Sequence, residues 1–405
     1  MAMERHRSPH QRIVVVMLDG LGRDYYEQSP MPTLKGWARS GVFASVQGVM
    51  PSVTNANNAS ICCGAWPAEH GVIGNSYLDA ESGNEEYMES AELVLVPTLF
   101  ERAGRAGVKS ALLTSKRKTV ALLGRGAEIL LAAEDPPPHW TERLGPAPPI
   151  YSREINYWLF RAAIDVLKTR PDIGCLYVHT TDFAMHTWPP EAAESQEHLA
   201  GLDALLAKAA AAAPDAAFLL SADHGMNFKT ACWDLEKALA ARGAPIRMAI
   251  SAERDKYPRH HRGMGGTSWV HLDAAHDGGR VMGTLASLAG VESVLPRAEA
   301  AQKLHLMPER IGDLVVLGDR DTVFGHVDAE FETLPADYRS HGSVHERDVP
   351  LVIHNAADAP PAAFFRHNLD LARWLWSDRP APPVVTAVEN PSPQPPPARG
   401  GGVVR

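Results

Sequence analysis

A chain of 405 residues can hold one large α/β domain or two modest ones. Hydrophobic residues at 45% and charged residues at 21% are ordinary for a globular protein. The formal net charge of -9 excludes a general basic surface for nucleic acid or anionic membranes, so an anionic substrate needs local cations. The opening stretch MAMERHRSPHQR is polar and basic, and the apolar run behind it stops at Asp19. That is too short for a signal peptide or a membrane span. The four cysteines, Cys62, Cys63, Cys175 and Cys232, form no CxxC pair. Reduced thiols and a cytoplasmic location are the expectation, and any metal should be held by His and carboxylate.

Three apolar runs share one feature. Ile13 to Leu18 ends in Asp19, Ile173 to His179 leads to Asp182, and Ala217 to Ala222 ends in Asp223-His224. Such runs read as strands buried on both faces of a parallel sheet. Helical patterns lie between them at Thr33 to Ser40, Val96 to Ala106, Ile155 to Lys168 and Glu194 to Ala212. The alternation predicts an α/β sandwich with a central, mostly parallel sheet, whose ligands bind beyond the carboxyl ends of the strands. One Asp at a strand end is commonly a cap; three in succession point to a site. Beyond Met226 the texture changes. Residues 231–305, with strand-like runs at Ile246 to Ile250, Ser268 to Leu272 and Val291 to Leu295 and a helical Val281 to Ala289, read as a smaller α+β cap inserted into a core of residues 10–230 and 306–377. Ile311 to Leu317 reads as a further core strand. From residue 378 the Pro/Gly-rich tail has the composition of a disordered segment.

Asp182 and His186 stand four apart in TTDFAMH, which puts both on one face of a helical turn. Asp223-His224 can converge at a sharp turn after a strand. His341 lies in a Gly-flanked loop, with His345 as its competitor, and Asp19 completes the set. Six O/N ligands without sulfur suit two zinc ions, with manganese as the alternative. His179 and His70 are nearby and weaker as ligands. His260 and His261, between arginines, read as a solvated loop of the cap.

Thr54, in MPSVTNANNAS, precedes a plausible helix start. Two metal ions clamp the attacking and leaving oxygens of phosphoryl transfer, and coordination makes a hydroxyl an alkoxide near neutral pH. The helix N-terminus favours that anion. Thr54 is therefore the candidate nucleophile, against a plain N-cap role; Ser52 and Ser60 are its rivals.

The ordered segments LDGLG, PSVTNANN, HGVIGN, TTDFAMH, SADHGMN and RSHG resemble the alkaline phosphatase superfamily. They resemble most its branch of nucleotide pyrophosphatase/phosphodiesterases and phosphonoacetate hydrolases. The resemblance runs from Ile13 to Trp376. It implies an alkaline-phosphatase-like fold and two zinc ions, one on Asp182, His186 and His341, the other on Asp19, Asp223 and His224, with Thr54 as nucleophile. It implies that Asn75, in HGVIGN, hydrogen-bonds the phosphoryl group; an αL turn residue is the bland alternative. LLTSKRKTVALLG resembles the phosphonoacetate hydrolases, in which two lysines grip the substrate carboxylate, and Lys116 and Lys118 match. Alternation would put both on one side of an extended segment.

Two dications balance three aspartates and an alkoxide, so the substrate carboxylate needs the lysines as its own cations. The implied reaction is cleavage of the C–P bond of phosphonoacetate, or a close carboxy-phosphonate, to phosphate and acetate through a phosphothreonine. A phosphodiesterase or nucleotide pyrophosphatase is the alternative, with Trp66, Tyr77 and Trp188 as a base-binding slot; a non-catalytic metal-binding protein is the third. The expected partner is a small-molecule phosphonate, with neither nucleic acid nor membrane, and a homodimer is compatible with the chain.

Overall fold

In the computed structural model, which describes residues 11–273 and 278–376, the three Asp-terminated runs are neighbouring strands. Ile13–Met17 pairs in parallel with Ile173–His179 on one side and Ala217–Ser221 on the other. Their side chains are almost all buried, as continuous apolar strands must be when helices cover both faces. The central sheet has seven strands in the order Val42–Gln47, Asp348–His354, Ala217–Ser221, Ile13–Met17, Ile173–His179, Lys109–Thr114, Ile129–Ala132. Only Asp348–His354 runs against the rest. This is the expected alkaline-phosphatase-like α/β architecture.

Register decides where the site falls. Met17 lies opposite both His179 and Ser221. Asp19, Asp182 and Asp223 therefore leave the sheet together at one carboxyl edge. Gly20 turns the chain there with φ +75°, and a Cβ on it would press within 3.1 Å of the Asp182 Cβ. The predicted helices form at Pro32–Ser40, Leu99–Arg105, Glu154–Thr169 and Ala193–Ala212. Leu99–Arg105 starts late because Thr98 caps it, accepting from the Glu101 N–H at 3.2 Å while Glu101 accepts from the Thr98 N–H at 2.9 Å. None of the described helices is long and apolar enough to cross a membrane.

The region after Met226 does form smaller sheets. Met248–Ser251, Thr267–His271, Leu314–Gly318 and Val291–Pro296 make an antiparallel four-stranded sheet in that order. A separate cluster that includes Trp233, Leu239, Val270, Val281, Leu285 and Val316 forms its core. One expectation fails here. Ile311 to Leu317 was to be a core strand, but Leu314–Gly318 is an inner strand of the small sheet. The unit beside the core therefore extends past residue 305. The returning core strand is Asp348–His354, DVPLVIH. A run buried on both faces looks the same in either sheet, whereas Pro350 and the leading Asp348 break the apolar signature of the true one. The tail from residue 378 lies outside the described residues.

A fully buried ion pair joins the two stretches of chain that make up the core. Lys229 Nζ lies 2.8 Å from Glu346 Oε1, and Asn227 Nδ2 and Ser343 Oγ donate to the same carboxylate at 2.6 and 2.7 Å. Burial alone would raise Glu346, but Lys229 and these donors hold it below the ordinary carboxylate value. A depressed folded pKa gives stability that is full above the unfolded value and lost as pH falls through the folded one. Lys229→Met leaves the carboxylate buried without its cation. We expect a loss of about 3–5 kcal/mol at pH 7 in urea denaturation, shrinking below about pH 5 as Glu346 takes up a proton. A loss within about 0.5 kcal/mol, typical of a surface change, would contradict the pair's role.

Candidate two-metal active site

Two groups of metal-ligand side chains form at the carboxyl edge among the described residues: Asp182, His186 and His341, and Asp19, Asp223 and His224. All six are buried. His186 follows Asp182 on the short helix Phe183–Thr187. Its Nε2 lies 2.9 Å from Asp182 Oδ2, and His341 Nε2 lies 3.7 Å from the same oxygen. In the second group His224 Nε2 is 3.2 Å from Asp223 Oδ2 and 3.6 Å from Asp19 Oδ1. Gly342, with φ +106°, lets the His341 loop run against Gly266, where a Cβ would meet the Gly266 nitrogen at 2.8 Å.

The histidine tautomers follow from their partners. The Nδ1–H groups of His186, His224 and His341 donate to the carbonyl oxygens of Arg339, Gly225 and Ser52 at 2.8, 2.9 and 2.8 Å. A carbonyl only accepts, so each Nε2 keeps its lone pair and turns it into the site, as metal-ligating imidazoles do. His179 is the opposite case. The Tyr177 hydroxyl donates to Asn58 Oδ1 at 2.6 Å, which turns the Asn58 amide N–H to His179 Nδ1 at 3.0 Å. The proton then sits on His179 Nε2, 3.4 Å from Asp19 Oδ2. His179 thus orients Asp19. His70 is bound to Ser60 Oγ at 2.7 Å and the Val72 N–H at 3.0 Å.

Thr54 opens the helix Thr54–Cys63, and Val53, not Thr54, is its N-cap. The helix is buried on every side, so packing rather than amphipathicity fixes it. Thr54 Oγ1 lies 3.3 Å from His224 Nε2 and 3.5 Å from Asp19 Oδ1. The rival hydroxyls are engaged: Ser52 Oγ donates to the Ser343 carbonyl at 2.5 Å, and Ser60 Oγ bonds His70.

Lys116 and Lys118 are both buried beside the first group. The expected extended segment is not there: Lys116 caps the helix Arg117–Leu123 and Lys118 lies in its first turn. The two ammonium groups still converge, lying 5.8 and 5.7 Å from the Tyr257 ring centroid. Lys116 Nζ is 4.0 Å from Asp182 Oδ1. Lys118 Nζ donates to Asn75 Oδ1 at 3.1 Å and pairs closely with Asp255. Asn75 does not adopt a positive φ, and its Nδ2 is buried without a hydrogen bond.

The segment between Ser251 and Thr267 corrects a second expectation. His260 and His261 are not solvated. His260 Nε2 lies 3.6 Å from Asp182 Oδ1 with its side chain only 4% exposed, and His261 Nε2 lies 3.7 Å from Glu253 Oε1. Their flanking arginines turn outward instead, Arg259 over the Tyr151 ring and Arg262 onto Glu332. The Gly263 N–H donates to His261 Nδ1 at 2.9 Å, so His261 Nε2 carries a proton. Sequence reasoning missed Glu253, Asp255 and Tyr257 at the site. The signal was present as six titratable side chains beside a doubled histidine in SAERDKYPRHH. His345 belongs to neither metal group: its ring is one-third exposed and meets Glu292 at 2.6 Å.

The donor set fits cations. Asp182 Oδ1, His186 Nε2, Asp223 Oδ2 and His341 Nε2 are buried without a hydrogen bond. Orphans of this kind need a partner. Two ligand atoms on one tetrahedral zinc stand about 3.3 Å apart. The contacts among Thr54 Oγ1, His224 Nε2, Asp19 Oδ1 and Asp223 Oδ2 run from 3.2 to 3.6 Å. Without cations, burial and then the neighbouring Asp182 push Asp19 up to about 7, and burial pushes Asp223 up to about 6. Burial also opposes charge on Asp182, but His186, His260 and Lys116 hold it well below the usual carboxylate range. Burial pulls Lys116 down, and Asp182, Asp19, Asp255 and Glu253 outweigh it and raise the ammonium above its ordinary value.

Residues 13–343 match the profile of the type I phosphodiesterase/nucleotide pyrophosphatase family. The chain belongs to that family, within the alkaline phosphatase superfamily. An ectonucleotide pyrophosphatase/phosphodiesterase of Caenorhabditis elegans is 28% identical over 267 residues, 59% of this chain and 29% of the relative. The chain thus spans less than a third of the length of the curated relatives it matches. Among solved structures, phosphonoacetate hydrolase from Sinorhizobium meliloti, in complex with phosphonoformate, superposes with a TM-score of 0.80 at 29% identity, covering 90% of this chain and 94% of that one. Murine ectonucleotide pyrophosphatase/phosphodiesterase 5 shares the fold at a TM-score of 0.66 and 14% identity, with 89% and 93% covered.

Raised carboxyl pKa values give a pH test. Folded apoprotein keeps protons on Asp19 and Asp223 that the unfolded chain releases, so their contribution to apo stability falls as pH rises from about 4 to about 7. A cation displaces those protons. The rise in Tm on adding zinc should therefore grow steadily from pH 5 to pH 8 in differential scanning calorimetry. A pH-independent rise would separate these carboxylates from metal binding.

Proposed function

We propose that the protein is a two-metal hydrolase that cleaves the C–P bond of phosphonoacetate, or a close carboxy-phosphonate, to phosphate and acetate through a phosphothreonine on Thr54. The observation that carries this reading is the pair of buried lysines, Lys116 and Lys118, converging beside the Asp182 group with Asn75 on Lys118. Ammonium groups at that position suit a substrate carrying a second anion next to its phosphonate. The similarity to a phosphonoacetate hydrolase over nine-tenths of the chain supports the same substrate class.

Asp182, His186 and His341 would hold one ion, and Asp19, Asp223 and His224 the other, with Thr54 Oγ1 beside the second. Zinc fits these oxygen and nitrogen donors best, with manganese the alternative. When bound, the ions neutralise the phosphonate oxygens and lower the pKa of the Thr54 hydroxyl. Thr54 Oγ attacks phosphorus in line, forming the O–P bond as the C–P bond breaks. The electron pair leaves on carbon and spreads into the carboxylate as an enolate, whose charge Lys116 and Lys118 stabilise; protonation of that carbon gives acetate. Asn75 Nδ2 has a free N–H for a phosphoryl oxygen. Water then attacks the phosphothreonine, releasing phosphate and restoring Thr54. The four buried cysteines form no disulfide, in keeping with the cytoplasmic setting we propose.

The family match favours one second reading, a phosphodiesterase that takes nucleotides. Its aromatic slot has little support. Trp66 packs on His305 and His367, Tyr77 sits in the hairpin opposite Glu86, and Trp188 is covered by Arg153.

Phosphate release from phosphonoacetate by zinc-loaded protein tests the proposal against a p-nitrophenyl nucleotide ester. Turnover of phosphonoacetate with little ester hydrolysis is expected; the reverse preference would replace the proposal with the second reading. Thr54→Ala should lower kcat by at least about a thousandfold, the scale of losing a nucleophile. Lys116→Met should raise KM for phosphonoacetate and lower kcat, because the lysine meets both the ground-state carboxylate and the enolate. An unchanged kcat/KM would remove Lys116 from the site.

A further inference from the structure

The inserted segment brings a carboxylate of its own to the lysine pair. Asp255 pairs with Lys118 with both side chains almost fully buried, 2% and 3% exposed. Its other oxygen accepts from the Tyr257 N–H at 3.3 Å. The Tyr257 ring then covers both ammonium groups from the same segment, its hydroxyl anchored to Glu134 at 2.7 Å. No helix or strand of the described core supplies Asp255; it comes from the loop between Met248–Ser251 and Thr267–His271.

We propose that Asp255 is an internal stand-in for the substrate carboxylate: it holds Lys118 while the site is empty and yields that place when a carboxylated substrate enters. This rests on the reading of Lys116 and Lys118 as carboxylate holders. Charge decides between yielding and staying. The two ions balance Asp19, Asp182, Asp223 and the Thr54 alkoxide, leaving two lysines. A phosphonate dianion with a carboxylate brings three negative charges. With Asp255 kept in place, four anionic charges would share two ammonium groups in a buried cleft, a cost that withdrawal of Asp255 removes. The segment has the backbone for such a movement. Arg262 and Gly263 take positive φ angles of 54° and 69° in succession just beyond the doubled histidine, while the chain is pinned again at Gly265, whose N–H donates to Ser251 Oγ at 3.0 Å. Asp255 also lines a cleft of about 290 Å³, with Arg254, Arg262 and Ser268 among its other walls. That gives the withdrawn side chain a space walled in part by two arginines to enter.

Two states with different occupants of Lys118 make Asp255 a determinant of substrate choice. It weakens ligands that must displace it and leaves a ligand without a carboxylate untouched. The test uses metal-loaded, full-length Thr54→Ala protein with and without Asp255→Asn, titrated calorimetrically with phosphonoacetate and with inorganic phosphate. Phosphonoacetate should bind the double variant at least about tenfold more tightly, the scale of one charge-assisted hydrogen bond no longer contested; phosphate affinity should move less than about threefold. Equal or weaker phosphonoacetate binding would overturn the proposal and make Asp255 a permanent buttress of Lys118. If Asp255→Asn does not fold, hydrogen exchange of residues 252–264 in the Thr54→Ala protein decides. Exchange should be faster with phosphonoacetate than with phosphate, because the Tyr257 amide loses its acceptor; equal or slower exchange rejects the stand-in. Phosphate release by the wild-type protein reports the parent reading separately. Phosphonoacetate binding to neither variant, with phosphate still bound, removes the carboxylate site and the stand-in together.

Discussion

Buried negative charge is the constraint from which the rest of this structure follows. Asp19, Asp182 and Asp223 sit at the ends of three adjacent parallel strands, all removed from water and all close enough to raise or oppose one another's ionisation. A fold that places three carboxylates together without solvent has either to protonate them or to supply cations. The sheet's register creates the juxtaposition, and the apolar strands that set the register are what make the fold stable. Stability and charge crowding therefore have one origin.

The surrounding residues are arranged around that constraint. Backbone carbonyls of Arg339, Gly225 and Ser52 fix three imidazoles with lone pairs inward. His179 and His261 carry their protons the other way, on Nε2, and His179 turns its own toward Asp19. This difference separates ligands from supports more sharply than proximity does, since all five rings are buried in one neighbourhood. Thr54 then owes its place to the buried helix it begins, and its rivals Ser52 and Ser60 are spent on the Ser343 carbonyl in the loop that carries His341 and on the His70 ring.

Much of this was legible in the sequence because it rests on local signals. An apolar run ending in Asp announces a buried strand and a residue at its mouth, and Asp182-x-x-x-His186 announces one helical face. The elements that were misread depend on long-range pairing. Leu314–Gly318 has the composition of a core strand and joins the small sheet; Asp348–His354 carries a proline and completes the large one. His260 and His261 looked solvated because arginines flank them, and nothing local tells that those arginines fold outward while the histidines fold in. Asp255 was invisible for the same reason: its partner, Lys118, is 137 positions away.

The division of labour between the two regions is clear in these terms. The large sheet, with its helices and connecting loops, presents the six candidate ligands, the hydroxyl and both lysines; the loop between Met248–Ser251 and Thr267–His271 brings Glu253, Asp255, Tyr257 and the two histidines to them. Anomalous diffraction from zinc-soaked crystals tests the central claim most directly. Two peaks are expected about 4 Å apart, one within bonding distance of Asp182, His186 and His341, the other of Asp19, Asp223, His224 and the Thr54 oxygen. A single peak elsewhere, or two that leave Thr54 out of reach, would contradict the account.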